Sequence, residues 1–353
     1  MNSEWQNFLE QQGATIAEGE VHDYGDPTAE LKQAVEGDSL CDLSHDALIR
    51  ASGEEAGGFL QGQLTNDVRS ASTTRHQLGS YCSPKGRMLA LFRLFMRDEA
   101  YCLQLPASLL APTLKRLQMF VLMAKVQLED ASDELARFAL AGPSAEKLLQ
   151  KHLGAVPVEE GESLSTDGIT QLRIPGPQPR YILHGSFDAM QTLWQSLHDD
   201  GATPVGAEAG RLLDIHAGLP VVYPDTVEAF VPQMVNLQLI GGVSFKKGCY
   251  TGQEVVARMQ YLGKLKRRMY LAHVDSEQPP QPGDELTSPH SASGQGAGKV
   301  VSAAAAPQGG YDLLCVIEIA AADSGEVYLG EIGGAALTLE SPPYGFEPQQ
   351  AAS

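Results

Sequence analysis

Nine residues of this 353-residue chain carry most of its chemical promise: Lys246-Lys247-Gly248-Cys249-Tyr250-Thr251-Gly252-Gln253-Glu254. Two glycines bracket Cys249, and glycine permits positive φ and close approach to a ligand. Thr251 followed by Glu254 reads as a capping box, with Val255, Val256 and Met259 continuing a helix. Cys249 is thereby expected just before a helix N-terminus, where free N–H groups favour anions. Lys246 and Lys247 add positive charge. Those conditions favour a thiolate, so Cys249 is the candidate working or redox residue and Lys247 its support. The alternative is a small buried residue in a glycine-rich turn.

The surrounding charge is uneven. The whole chain is acidic, at −19. From Ser244 to Met269, Lys246, Lys247, Arg258, Lys264, Lys266, Arg267 and Arg268 are opposed only by Glu254, a local balance of +6 against −25 elsewhere. Such a segment suits one bound anion, or it is a solvated basic helix face. The acidic remainder repels nucleic acid, so no stable nucleic-acid binding is expected. Cys41, Cys82, Cys102 and Cys315 lie in apolar surroundings and read as core. The cysteines are odd in number and lack a Cys-x-x-Cys pair, which argues against a disulfide framework, a zinc site or a cluster ligated by this chain alone. Nine histidines are scattered without ligand spacing, and no metal site is expected. There is no phosphate-binding loop or nucleophile elbow. Gly294-Gln-Gly296-Ala-Gly298 reads as a flexible loop.

The elements that must hold this segment are mixed. Trp5, Phe8 and Leu9 have helical spacing. Phe187, Met190, Leu193, Trp194 and Leu197 mark a longer helix opened by Ser186 and stopped by Gly201. Leu109 to Leu122 reads as another, with Pro112 near its start. Arg137 to Ala141 reads as a strand leading to a helix capped by Ser144. Gln171 to Ile174 and Arg180 to Leu183 flank Pro-Gly-Pro-Gln-Pro as a hairpin. After Lys266 the chain becomes short strands at Met269–Val274, Lys299–Ser302, Tyr311–Ile319, Val327–Leu329 and Ala335–Leu339, the pattern of a small barrel or sandwich. A stiff Pro-rich joint runs from Glu277 to Gly283. The start has no basic, apolar leader and no stretch approaches a membrane span, so a cytoplasmic protein without membrane contact is expected.

Longer motifs reach a known family. Phe230-Val-Pro-Gln233, Asn236-Leu-Gln238, Gly241-Gly242 through Glu254, and Ala257-Arg258 closely resemble the signature of the YgfZ proteins. Asp42-Leu43-Ser44, Phe59 through Val68, Ser83-Pro84-Lys85-Gly86-Arg87, Leu140-Ala141-Gly142-Pro143 and Gly218-Leu219-Pro220 resemble the wider folate-dependent aminomethyltransferase superfamily. The resemblance runs from about Leu40 to the end. It implies an α+β fold of three domains around a central channel with a C-terminal β-barrel. Residues 1–265 would form two interleaved folate-binding domains, 266–346 the barrel and 347–353 a tail. It implies tetrahydrofolate, or a derivative, as cofactor, with Asn66, Gln233, Asn236, Lys246, Lys247, Tyr250, Gln253, Glu254 and Arg258 as the residues that hold it. It also implies a role in assembly or repair of iron–sulfur enzymes, including tRNA-modifying ones, as transient client partners.

Two departures qualify that. Relatives that move a one-carbon unit from glycine carry an Asp-Asp pair where this chain has Leu89 and Ala90. No carboxylate remains there to steer a proton, so that reaction is not expected. Asp214 and His216 stand where related sequences often carry Arg and a folate-binding Glu. An accessory factor, a one-carbon transferase and an RNA-binding module thus stand as alternatives; for the last, the basic segment offers only Tyr250, Tyr261 and Tyr270 for stacking.

Overall fold

A computed structural model describes residues 1–291 and 296–346. Gly294 and Gln295 of the expected loop, and the tail expected over 347–353, lie outside the described residues. The chain resolves into two compact units. One comprises residues 1–59, 69–77 and 93–213; the other comprises residues 60–68, 78–92 and 214–353.

The first unit is built on mostly antiparallel strands, with Thr203–Val205 parallel to Ser39–Asp42, and helices packed on them. Strand Ala136–Ala141 pairs with Arg180–Gly185 and with Ser39–Asp42. Strand Ile169–Ile174 pairs with Arg180–Gly185 across the proline-rich turn, as a hairpin. All six residues of Ala136–Ala141 and of Arg180–Gly185 are buried, the charged Arg137 and Arg180 and the His184 ring among them. The core gathers Trp5, Phe138 and Trp194, with the Trp194 ring edge-on to both others. The helices Ser3–Gln11 and Phe187–Asp199 supply the two tryptophans. Asp42 is fully buried and accepts from the Trp5 indole at 2.7 Å and from the Ser44 hydroxyl at 2.9 Å. The Asp42-Leu43-Ser44 motif is therefore a structural staple.

Two local expectations are corrected here. The helix expected to Leu122 runs only over Leu110–Gln118. Its buried face ends at Leu117, and beyond it no side chain as far as Met123 is buried, so no packing sustains another turn. Ser144 holds the N-cap position of helix Ala145–Leu153 but its hydroxyl makes no cap; its backbone N–H donates instead to Asp38 Oδ1 at 2.7 Å.

In the second unit the chain ends in a closed barrel of six strands. Around the barrel they are Arg267–Val274, Tyr311–Glu318, Gly298–Ala305, Glu285–Thr287, Tyr328–Leu329 and Ala335–Glu340, and the last pairs back with the first. Closure leaves no free edge. Its core is Leu286, Val300, Leu313, Cys315, Ile317 and their neighbours. The sequence pattern missed the short Glu285–Thr287 strand and the Ile319–Ser324 helix.

Candidate functional site

The signature segment lies wholly in the second unit, and backbone groups position it. Chain Phe230 to Gly242 is a run of turns. Asn236 ends the Pro232–Val235 turn in the left-handed region, at φ 58°, a conformation asparagine tolerates. Its amide then donates to Met269 O at 2.9 Å and to the Tyr344 hydroxyl at 3.3 Å. Gln233 donates to Val256 O at 2.7 Å. Both side chains are almost fully buried.

The next stretch is sewn to the Leu-Thr-Asn motif far upstream. Asn66 Nδ2 donates to Gly241 O at 2.6 Å and to Leu78 O at 2.8 Å. Thr65, also fully buried, donates through its hydroxyl to Gly242 O at 2.8 Å. The Ser244 N–H returns a bond to Thr65 O at 3.0 Å.

Lys247 differs from what its charge suggested. It is buried, and its ammonium donates to Gln61 O at 2.6 Å, Leu64 O at 2.5 Å and Asn66 O at 3.0 Å. An ammonium has three N–H donors, and three carbonyls take them. Those carbonyls end the Ala56–Gln63 helix and the turn after it, where the helix leaves acceptors without partners and carries partial negative charge. Lys247 is thus a peg that caps a helix C-terminus, and it offers no remaining donor to an anion. Its Nζ also lies 5.0 Å from the Tyr250 ring centroid, a cation–π distance.

Tyr250 is buried beside this peg. Burial, and then the nearby Cys82 thiol, push its phenol well above its ordinary value. Cys82 itself is pushed up to about 12 by burial, against the lowering hydrogen bond of Ser80. Between inward-pointing Lys247 and Tyr250, Gly248 and Cys249 face outward, and Cys249 is the one exposed cysteine of the five.

The following helix, Gln253–Tyr261, corrects the expected capping box. Its N-cap is Gly252 at φ 84°, with no side-chain cap bond. Thr251 sits one position too early, and Glu254 lies exposed in the first turn, where only the helix dipole favours it. Gly248, the other glycine, has open space around it and needs no special φ.

The seven-cation segment is likewise divided. Arg267 pairs with Glu318 at 3.1 Å. Arg268 lies 3.8 Å from the Phe346 ring centroid and bonds the Tyr270 hydroxyl at 2.9 Å. Lys246, Arg258, Lys264 and Lys266 remain exposed. The seven cations thus divide into one buried peg, two packed arginines and four surface cations.

Of the residues expected to hold a cofactor, Asn66, Lys247 and Tyr250 come together in the loop's anchorage. Gln233 and Asn236 tie the same chain to the Gln253–Tyr261 helix and the barrel strand. Gln253 is half-buried, and Lys246, Glu254 and Arg258 face out. Gln233 Oε1 and Gln238 Oε1 are shielded from solvent and have no hydrogen-bond partner among the described residues. Leu89 and Ala90 lie in strand Met88–Arg97, with Ala90 fully buried. His216 Nε2 is 2.7 Å from Asp312 Oδ2, and His273 Nδ1 is 2.8 Å from Oδ1 of the same carboxylate. Burial pushes Asp312 up, but these two hydrogen bonds win and hold it below its ordinary value. Tyr344, which accepts from Asn236 and donates to Gly218 O at 3.1 Å, was not singled out in the sequence; a tyrosine isolated in a Pro-Gly-rich end gives no spacing signal.

Among the described residues no group of three or more His, Cys, Asp or Glu could hold a metal ion, and no helix is long and apolar enough to cross a membrane.

Residues 24–247 match the family model described as the GCVT N-terminal domain. The chain is 35% identical over 309 residues to the tRNA-modifying protein YgfZ of Colwellia psychrerythraea, covering 86% of this chain and 93% of that one. It is 30% identical over 312 residues to the protein of the same name from Cronobacter sakazakii, covering 88% and 94%. The solved aminomethyltransferase T of the glycine cleavage system from Bartonella henselae superposes with a TM-score of 0.75 over 98% of each chain at 17% identity, a likeness of fold.

Proposed function

Because the chain belongs to the YgfZ family, we propose that it is a folate-binding accessory protein which supports assembly or repair of iron–sulfur enzymes in the cytoplasm, tRNA-modifying ones among them. The link to tRNA modification rests on the name its relatives carry. The observation that carries the working site is the presentation of Cys249. An outward thiol stands on a loop whose neighbours on both sides, Lys247 and Tyr250, are buried and fixed. A residue with no packing role, held in place by so many interactions, is built to meet something outside the fold.

Tetrahydrofolate fits one feature of the same segment. The unpartnered acceptors Gln233 Oε1 and Gln238 Oε1 suit the N–H donors of a reduced pterin, since buried acceptors are costly when unpaired. One-carbon transfer from glycine is disfavoured, because Leu89 and Ala90 offer no carboxylate.

The test is complementation of a deletion strain, read through a cluster-dependent tRNA modification, with Cys249→Ala against the unaltered chain. Loss of support in a variant that melts normally sustains the reading; full complementation makes Cys249 dispensable and sinks it. Calorimetry with tetrahydrofolate tests the cofactor separately, and absence of binding at millimolar ligand removes folate from the proposal.

A further inference from the structure

We propose that Lys246, Arg258, Tyr261, Lys264 and Lys266 form a docking stripe for a single-stranded segment of RNA. Arg258 and Tyr261 are one turn apart on helix Gln253–Tyr261, so they share a face. Lys264 and Lys266 follow directly on the exposed chain leaving that helix. The Phe245 and Tyr261 rings meet edge to face at 6.0 Å, which brings Lys246, next in sequence to Phe245, to the same surface.

Three observations point to a ligand. First, in a chain of net charge −19, these four cations have no ion-pair partner among the described residues, whereas Arg267 and Lys299 of the same unit each hold a glutamate. Glu254, on the same helical face, makes no ion pair with Arg258. Second, Tyr261 is 67% exposed and Leu262 85% exposed beside the cations, an apolar surface open among the described residues. Third, three of the four cations are lysines. Lysine is depleted at protein–protein interfaces, but it neutralises phosphates as a point charge. A flat exposed ring between cations accepts any base by stacking. The chemistry therefore favours a phosphate-bearing strand over an acidic protein. The acidic remainder of the chain keeps such binding weak and transient.

The experiment is fluorescence anisotropy of an unstructured RNA of about ten nucleotides with the full-length protein. Salt is varied between about 50 and 200 mM. Four phosphate contacts at −0.7 each predict a slope of about −3 for log K against log salt. Lys264→Gln with Lys266→Gln should lower the slope to about −1.4, and Tyr261→Ala should weaken binding about tenfold with the slope unchanged. Circular dichroism confirms that these surface variants fold. Cys249→Ala should bind the RNA as the unaltered chain does, so this proposal and the thiol reading can fail independently. No binding at the lowest salt, or a slope that the lysine changes leave intact, overturns the stripe. Lysine variants that lose support of iron–sulfur enzymes in cells while binding RNA normally would assign the surface to an acidic protein and also overturn it.

Discussion

Gly86 and Gly252 meet backbone to backbone. Both have positive φ, 68° and 84°, and a Cβ on Gly252 would lie 2.9 Å from Gly86 Cα and 2.5 Å from Ser83 O. A Cβ on Gly86 would lie 2.8 Å from Val255 Cβ. The contact seats the start of the Gln253–Tyr261 helix on the turn that follows Cys82. It explains both the Ser-Pro-Lys-Gly-Arg motif and the second glycine of the signature, with no ligand required.

Gly252→Ala should therefore destabilise the fold, whereas Gly248→Ala should be nearly neutral. At Gly252 a side chain meets backbone on two sides and a left-handed φ, costs of about 1–3 kcal/mol each. Gly248 has neither. Denaturant midpoints of the two variants check this, and equal midpoints would show that the contact is loose.

Lys247→Met should be more harmful than removal of any surface lysine. It leaves Gln61, Leu64 and Asn66 carbonyls without their donor, at about 1–3 kcal/mol for each carbonyl that finds no substitute. Lys247→Arg should not rescue, because a planar guanidinium cannot point three donors at carbonyls converging on one atom. Lys246→Met, by contrast, should melt as the unaltered chain does. The comparison is made by denaturant unfolding, and a stable Lys247→Met would return that lysine to the role of a surface charge.

The two lysines also show what sequence makes legible. Helix Phe187–Asp199 was readable because its buried residues recur at helical spacing. The barrel was readable because its strands are short, apolar and evenly punctuated. Lys246 and Lys247 are adjacent and chemically identical, yet one faces water and the other is a core peg. The difference lies in carbonyls 181 to 186 residues earlier, and backbone carbonyls have no sequence signature. The capping box failed for a similar reason. Thr251 and Glu254 have the right spacing, but the approach of Gly86 makes Gly252 the N-cap. The burial of the other four cysteines was readable from their apolar surroundings, whereas for Cys249 the sequence left a buried turn residue and a working thiol both open, and the fold exposes it.

The first unit should lose stability as pH falls below the ordinary histidine range. His76 is buried, receives Arg93 at Nδ1 and donates from Nε2 to Arg173 O at 2.9 Å, which fits the neutral ring. Burial, then the Arg93 charge, lower it to about 3. Burial and then Arg137 lower the fully enclosed His184 in the same direction. Between pH 6.5 and about 3 the unfolded chain binds protons that the folded chain refuses. Stability is therefore complete above that window and falls within it, by about 1.4 kcal/mol per pH unit for His76, with His184 adding in the same direction. His76→Gln should flatten the slope by about one proton. Urea unfolding at a series of pH values measures it, and an unchanged slope would mean that His76 is protonated in the fold.

The thiols give the most direct test of the candidate site. Cys82 and Cys102 are pushed up to about 12 by burial, and burial raises Cys315 further. Cys41 is buried with its Sγ 3.6 Å from Gly206 O. A thiol reacts as the thiolate and only when reached, so these four must wait for local opening. Each 1.4 kcal/mol of opening free energy slows that reaction about tenfold. Cys249 needs no opening. A thiol-reactive dye at neutral pH should accordingly label one cysteine fast in the native protein and all five in denaturant. Cys249→Ser should abolish the fast phase. Lys247→Met should add a second, slower labelling at Cys82, because the peg lies against the Tyr250 ring and Tyr250 stands near that thiol. Mass spectrometry of the labelled peptides identifies the sites. Fast labelling of any cysteine other than Cys249 in the unaltered chain would show that the loop does not single out one thiol.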